Sequence, residues 1–267
     1  MIRLSLTFSL LFAALSAVAQ EKWTYLNNGT IRIGVNETAG AGIGWFSESA
    51  VDRNILNRHD LGRYVQQSWY GKQDGSHWNK KPWRWNPVQA GGWQGERAKI
   101  IEFQATENRV FAKSLPKHWA SGTDIEDVIF EEEITLHGPV AKIHFTMRYS
   151  GKNEHPIHDQ ELPAVFVNAD FANLAFIKPG ETTPHQYQPG WPNERHKIHN
   201  HWVAYLDGNN RGIGVLVPGV DTITCYRFGK AGQKGACSYV APIRRIVITP
   251  GFEFEYDVYL TIGTLPE

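Results

Sequence analysis

The sequence predicts an all-β protein, built as one large antiparallel β-sandwich. Two long segments alternate apolar and polar residues with period two. In 141–149, Ala141, Ile143, Phe145, Met147 and Tyr149 share one face, and Lys142, His144, Thr146 and Arg148 take the other. In 252–262, Phe252, Phe254, Tyr256, Val258, Leu260 and Ile262 oppose Glu253, Glu255 and Asp257. That alternation is the pattern of a strand with one side on a core. No segment carries a helical apolar period of useful length.

Taken in chain order, Arg3 precedes an apolar run from Leu4 to Val18, and Ala17-Val18-Ala19 supplies a small-x-small site before Gln20-Glu21-Lys22 turns polar. A run of about 15 apolar residues is short for a bilayer span and fits a secretory leader. The reading is a signal peptide over 1–19, cleaved after Ala19, and a single β-sandwich domain over 20–267, secreted or periplasmic. No later stretch is apolar enough to span a membrane. Further strands are expected near 30–35, 42–47, 63–70, 98–105, 108–115, 126–136, 162–168, 201–206, 212–217, 222–228 and 244–249. Gly, Pro and Asn punctuate them, and Asp207-Gly208-Asn209-Asn210 signals a hairpin. Two long stretches, 71–97 and 178–200, read as irregular loops of the kind that carries function.

Lys+Arg and Asp+Glu are equal at 27 each, with no basic run, so nothing attracts nucleic acid or an anionic membrane. Cys225 and Cys237 are the only cysteines. An exported protein can join them across two neighbouring strands, or leave each as a free thiol in its own strand. Ten Trp are unusual. Indoles either fill a large core or stack on the apolar C–H face of a pyranose.

Arg63-Tyr-Val-Gln-Gln-Ser-Trp-Tyr70 carries the most chemistry. As a strand it puts Arg63, Val65, Gln67 and Trp69 on one face and Tyr64, Gln66, Ser68 and Tyr70 on the other. Neither is an ordinary apolar face, which suits an edge or a wet groove. The next loop brings Trp78, Trp83, Trp85 and Trp93 around Asn86 and Gln89. His155, His158, Asp159 and Glu161 form a polar run ahead of an apolar strand, and His158 or Glu161 suits acid–base work. His196, His199 and His201 form a second cluster, with His199 and His201 on one face if a strand begins there. No metal ligand set is complete in the sequence; a divalent metal stays open and no other cofactor is expected. The sequence has no metalloprotease helix motif, nucleophile elbow, P-loop or dinucleotide fingerprint. Glu131-Glu132-Glu133 reads as solvated positions on a strand.

Four short stretches resemble the galactose mutarotase-like β-supersandwich group of secreted bacterial glycan-active proteins. They are Gly42-Ile-Gly-Trp-Phe46 leading to Asp60-Leu-Gly-Arg63, Trp85-Asn-Pro-Val-Gln89, Gln160-Glu-Leu-Pro-Ala164, and Pro250-Gly-Phe-Glu-Phe-Glu-Tyr256. The resemblance implies that fold and a carbohydrate substrate; a jelly roll is the alternative architecture. Sugar mutarotases carry a catalytic His in a His-x-Tyr-Phe-like motif midway along. The comparable region here reads Leu162-Pro-Ala-Val-Phe-Val167, without His, which argues against simple aldose epimerisation.

The expected function is a secreted carbohydrate-active enzyme, a polysaccharide lyase acting by β-elimination on a uronate-containing glycan. In this reading Arg63 and Gln67 neutralise the carboxylate, and Tyr70 or His158 moves the proton. Trp69, Trp83, Trp85, Asn86, Gln89, Glu161, His199 and His201 contact the polysaccharide or oligosaccharide. The alternatives are a glycoside hydrolase or sugar epimerase on the same fold, and a non-catalytic carbohydrate-binding envelope protein.

Overall fold

The computed structural model describes residues 20–265; the segment read as a leader, 1–19, lies outside them. A nine-stranded antiparallel sheet forms one layer. Its order is His185–Tyr187, Asn173–Ile177, His199–Leu206, Arg211–Leu216, Glu253–Thr264, Val140–Tyr149, Val128–His137, Arg109–Leu115, Lys99–Ala105. Facing it, a five-stranded system is centred on Cys237–Ile248. His155–Glu161 pairs with this strand on one side and Thr222–Phe228 on the other, followed by Glu194–Lys197; Val165–Asn168 pairs with its first half. Trp23–Asn27, Ile31–Asn36 and Ile43–Glu48 make a third, smaller sheet. Among the described residues no helix is long and apolar enough to cross a membrane.

Alternation assigns the faces. Phe145, Met147 and Val258 from the large sheet meet Val165, Val167, Ile223 and Val240 from the smaller one in a single apolar core. Their sequence neighbours point the other way. Ala164, Phe166, Tyr226, Tyr239 and Ala241 gather on the outer face of the smaller sheet, away from that core. Cys225 pairs with Val240 and Cys237 with Phe228, three positions apart on one ladder, so the two side chains leave opposite faces. Both thiols are free and buried.

Segment 63–70 departs from its expected regular strand. Leu61–Arg63 is one turn of 3-10 helix, and the chain then runs extended through isolated bridges at Val65 and Ser68. The period of two survives. Val65 and Trp69 are fully buried in the core, with Trp69 edge-on to Phe252 and Phe254 at 5.9 and 5.6 Å. Gln67 is also fully buried, and its amide donates to the Glu131 and Thr146 carbonyls at 2.9 and 3.0 Å. Trp69→Ala is expected to lower unfolding free energy by about 3–5 kcal/mol in urea titrations, the usual cost of emptying a large core site.

Glu132 also departs from the sequence reading. On Val128–His137 the buried positions are Val128, Phe130, Glu132 and Ile134, while Glu131 and Glu133 face Lys113, Arg148 and Arg109 outside. Glu132 therefore sits inside the sandwich, where Gln89 donates to its Oε2 at 2.9 Å. Gln89 also donates to the Gly40 carbonyl. It is an interior tie, and its peptide carbonyl packs so close to Gly40 that a Cβ there would lie 1.8 Å from the oxygen.

Candidate functional site

The outer face of the smaller sheet is the floor of a cleft of about 590 Å³. Alternate residues of three strands supply it: Phe166, with Ala164 just ahead of its strand, Tyr226 and Phe228, and Cys237 and Tyr239. The 3-10 turn contributes Arg63, and the extended segment after it Gln66, Ser68 and Tyr70. One wall is the hairpin of Gln73–Trp78 and Lys81–Arg84, inside a stretch expected to be irregular; Trp78 and Trp83 stand on it, 5.0 Å apart, with Trp119 behind. The opposite rim is Trp191, 63% exposed, set edge-on to Tyr226 at 4.8 Å and against Phe228 at 5.4 Å.

Glu161 is one of the residues lining this cleft. It ends the strand His155–Glu161 and bridges to Ser68. Its Oε2 accepts a hydrogen bond from the Tyr70 hydroxyl at 3.0 Å, and its Oε1 accepts one from Tyr239. Burial raises the Glu161 carboxyl above its usual range, against the pull of the Tyr239 and Tyr70 hydrogen bonds. Burial and the neighbouring carboxylate push both phenols well above theirs, so they remain donors. Gln160, fully buried, fixes the pair: its Oε1 accepts from the Tyr70 N–H at 2.7 Å and its Nε2 donates to the Tyr70 carbonyl at 2.8 Å.

The other expected site residues divide between the cleft, the core and remote surfaces. Arg63 lines the cleft, but its Nε lies 3.3 Å from Asp60, and its Nη1 donates to Asn57 and to the Gly235 carbonyl. Trp83 lines the cleft and donates to Asn86 at 3.2 Å; Asn86 in turn donates to the Ser68 hydroxyl and the Trp69 carbonyl, bracing the wall from below. Gln67, Trp69 and Gln89 belong to the interior and do not reach the cleft. Trp85 stacks on His155 at 4.0 Å and meets Tyr149 at its ring edge, outside the cleft. His158 sits 3.4 Å from Arg84 and is absent from the lining; burial and that guanidinium lower its pKa. His199 and His201 are exposed on a strand of the large sheet, where His201 meets the Val220 carbonyl. No His lines the cleft among the described residues. Trp78, one of the four loop tryptophans named from the sequence, lines the cleft, and Tyr226, Tyr239 and Trp191 join it without having been named there. The signal for the tyrosines was the aromatic set alternating with Cys225, Val240 and other core residues along 225–228 and 237–241.

No family model and no curated protein matches the chain. Solved structures do. A galactose mutarotase related enzyme from Lactobacillus acidophilus superposes with a TM-score of 0.60 at 10% identity, over 91% of this chain and 98% of that one. A galactose mutarotase-like protein from Lactobacillus casei gives 0.60 at 10% identity, over 91% and 100%. A 4-alpha-glucanotransferase from Thermococcus litoralis gives 0.53 at 12% identity, over 91% of this chain but 38% of that one. The sandwich is thus the galactose mutarotase-like fold rather than a jelly roll, and at these identities the likeness is one of fold.

Proposed function

We propose that the protein is a carbohydrate-active enzyme, working outside the cytoplasm, that binds a saccharide in the aromatic cleft and uses Glu161 as its proton-transfer group. The observation that carries this reading is the Glu161 carboxyl, desolvated at the cleft floor and held by two tyrosine hydroxyls. A carboxyl raised above its usual range by burial is suited to taking and returning a proton. The indoles of Trp78, Trp83 and Trp191 offer flat apolar surfaces of the kind that pyranose rings stack on.

Charge balance bears on the substrate. Arg63 is matched by Asp60, and Glu161 adds a negative charge when ionised. A cleft with no surplus of positive charge favours a neutral saccharide over a uronate. The same ion pair counts against hydrolysis by two carboxyls, because Asp60 is already engaged. Proton exchange on a neutral sugar, of the epimerase kind, is therefore the first reading. Its proton partner in place of His is a tyrosine hydroxyl, with Tyr70 the one bonded to the same carboxyl.

The lyase reading keeps one specific support, the Arg63 guanidinium in the cleft lining, which could meet a substrate carboxylate if it left Asp60. A panel of neutral and uronate saccharides separates the two. Anomer or epimer exchange is followed by NMR, the unsaturated product by its ultraviolet enoate band, and hydrolysis by new reducing ends. Conversion of a neutral sugar without an enoate band is expected. An enoate band on a uronate glycan would transfer the assignment to the lyase. Binding across the panel with no product would sink the enzymatic reading. On the saccharide so identified, Trp83→Ala is expected to raise KM by roughly 3- to 10-fold with little change in kcat, the scale of one lost aromatic contact.

A further inference from the structure

A second cluster of ligand-type side chains lies away from the Glu161 carboxyl, where the edges of the two sheets meet. The strand His185–Tyr187 is the last of the large sheet, and Glu194–Lys197 is the last of the smaller one. In the ladder with Thr222–Phe228, Glu194 stands opposite Cys225 and His196 is two residues further along, on the same face. Donor atoms of Glu194, His196 and Cys225 all lie within 4.8 Å of one another. The His196 Nε2 to Glu194 Oε2 separation is 3.4 Å. The Tyr187 hydroxyl, from the other sheet, reaches all three: 2.7 Å to Glu194, 2.5 Å to His196 and 3.7 Å to the Cys225 sulfur.

We infer that Glu194, His196 and Cys225 form a binding site for a zinc-class divalent cation, with water at the fourth corner. Carboxylate, imidazole and thiolate are the three donor types that zinc takes, and its bond lengths set tetrahedral edges of roughly 3.3–3.8 Å. The His196–Glu194 spacing of 3.4 Å already falls on those edges, and the Tyr187 hydroxyl, 2.7 and 2.5 Å from Glu194 and His196, is the hydrogen-bonding group the ion would displace. A softer site than one of oxygens alone selects against calcium and magnesium. The imidazole ring is held by packing on Phe176 at 5.1 Å, leaving Nε2 directed at the cluster. Cys225 is fully buried beneath, while Glu194 and His196 keep 33% and 25% of their side chains exposed, which gives the ion a way in.

Binding balances as an exchange. The cation displaces the thiol proton of Cys225, the carboxylate and a neutral imidazole each give a lone pair, and one proton goes to solvent. The ion would tie the two sheet edges together. It would also hold the 188–193 loop that carries Trp191, because Glu194 accepts from the Gly190 N–H at 2.6 Å through its other oxygen.

The test is a titration of the chelator-stripped full chain with cobalt(II) and then zinc(II). One equivalent of cobalt is expected to give tetrahedral d–d bands and a thiolate charge-transfer band, both erased by one equivalent of zinc. Calorimetry in buffers of different ionisation heat should report release of one proton per zinc. His196→Ala and Glu194→Gln, at half-exposed positions, should each weaken binding at least 10-fold, and Cys225→Ser should remove the charge-transfer band. If the buried serine prevents folding, the two half-exposed variants carry the result. Absence of a cobalt spectrum, or a spectrum unchanged in His196→Ala and Glu194→Gln, overturns the site.

Discussion

Glu161→Gln is expected to lower turnover of the cleft's saccharide by about 10²–10⁴-fold, the usual worth of a positioned acid–base group. The amide keeps the size of the side chain and can still accept from Tyr70 or Tyr239, so saccharide affinity and the circular dichroism spectrum should change little. Equal loss of binding and turnover would mean that Glu161 only holds the ligand. The pH profile adds a signature that a structural role lacks. If Glu161 works ionised, activity falls as pH drops through its raised pKa. The Tyr70 hydroxyl stabilises the carboxylate by hydrogen bonding, against the burial that dominates. Tyr70→Phe removes that support, so the acid limb of the remaining activity should move to higher pH. A limb that stays put would separate Tyr70 from the proton transfer.

The second large effect concerns stability. Glu132 lies in the sandwich interior, where burial pushes its carboxyl up to about 8, opposed only by the Gln89 hydrogen bond. Among the described residues its Oε1 has no hydrogen-bond partner, and neither does the nearby Tyr256 hydroxyl. Because the folded pKa is above the unfolded one, the folded chain binds the extra proton. The stability contribution is complete below the unfolded carboxylate value and is lost progressively as pH rises toward about 8. The loss across that window is of order 4 kcal/mol, from a shift of several units at 1.36 kcal/mol each. Glu132→Gln cannot ionise, and its amide can offer an oxygen to Gln89 and a donor to Tyr256. The urea midpoint of the variant should exceed that of the parent at pH 8 and approach it at pH 5. Parallel midpoint-versus-pH curves for the two proteins would refute the assignment.

The sandwich was legible because both long alternating segments have one face on a deep core. The cleft was only partly legible. In 63–70 both faces are polar, so alternation sorted the residues into two sets without saying which set meets solvent. Ser68 and Tyr70 reached the cleft, whereas Gln67 is a buried amide whose role depends on carbonyls 64 and 79 residues away in sequence. The run 155–161 resembled a loop because its ladder slips between His155 and His158, breaking the period. That hid the geometry which separates Glu161 from His158. Glu132 was concealed by its charged neighbours, since three consecutive glutamates look solvated until the partner strand decides which one turns inward. Trp78 and Trp83 became a wall through a hairpin that contains no apolar alternation of its own.

The division between strand-built floor and loop-built walls has a consequence for how such a protein can diverge. Two of the floor residues are flanked in sequence by buried positions: Phe166 by Val165 and Val167, and Tyr239 by the fully buried Ser238 and by Val240. A shift of register that repositioned the floor would turn those neighbours out to solvent. The hairpin with Trp78 and Trp83 and the loop with Trp191 carry no such obligation. Those two segments can therefore be exchanged by grafting, while the Glu161 carboxyl is inherited with the sandwich.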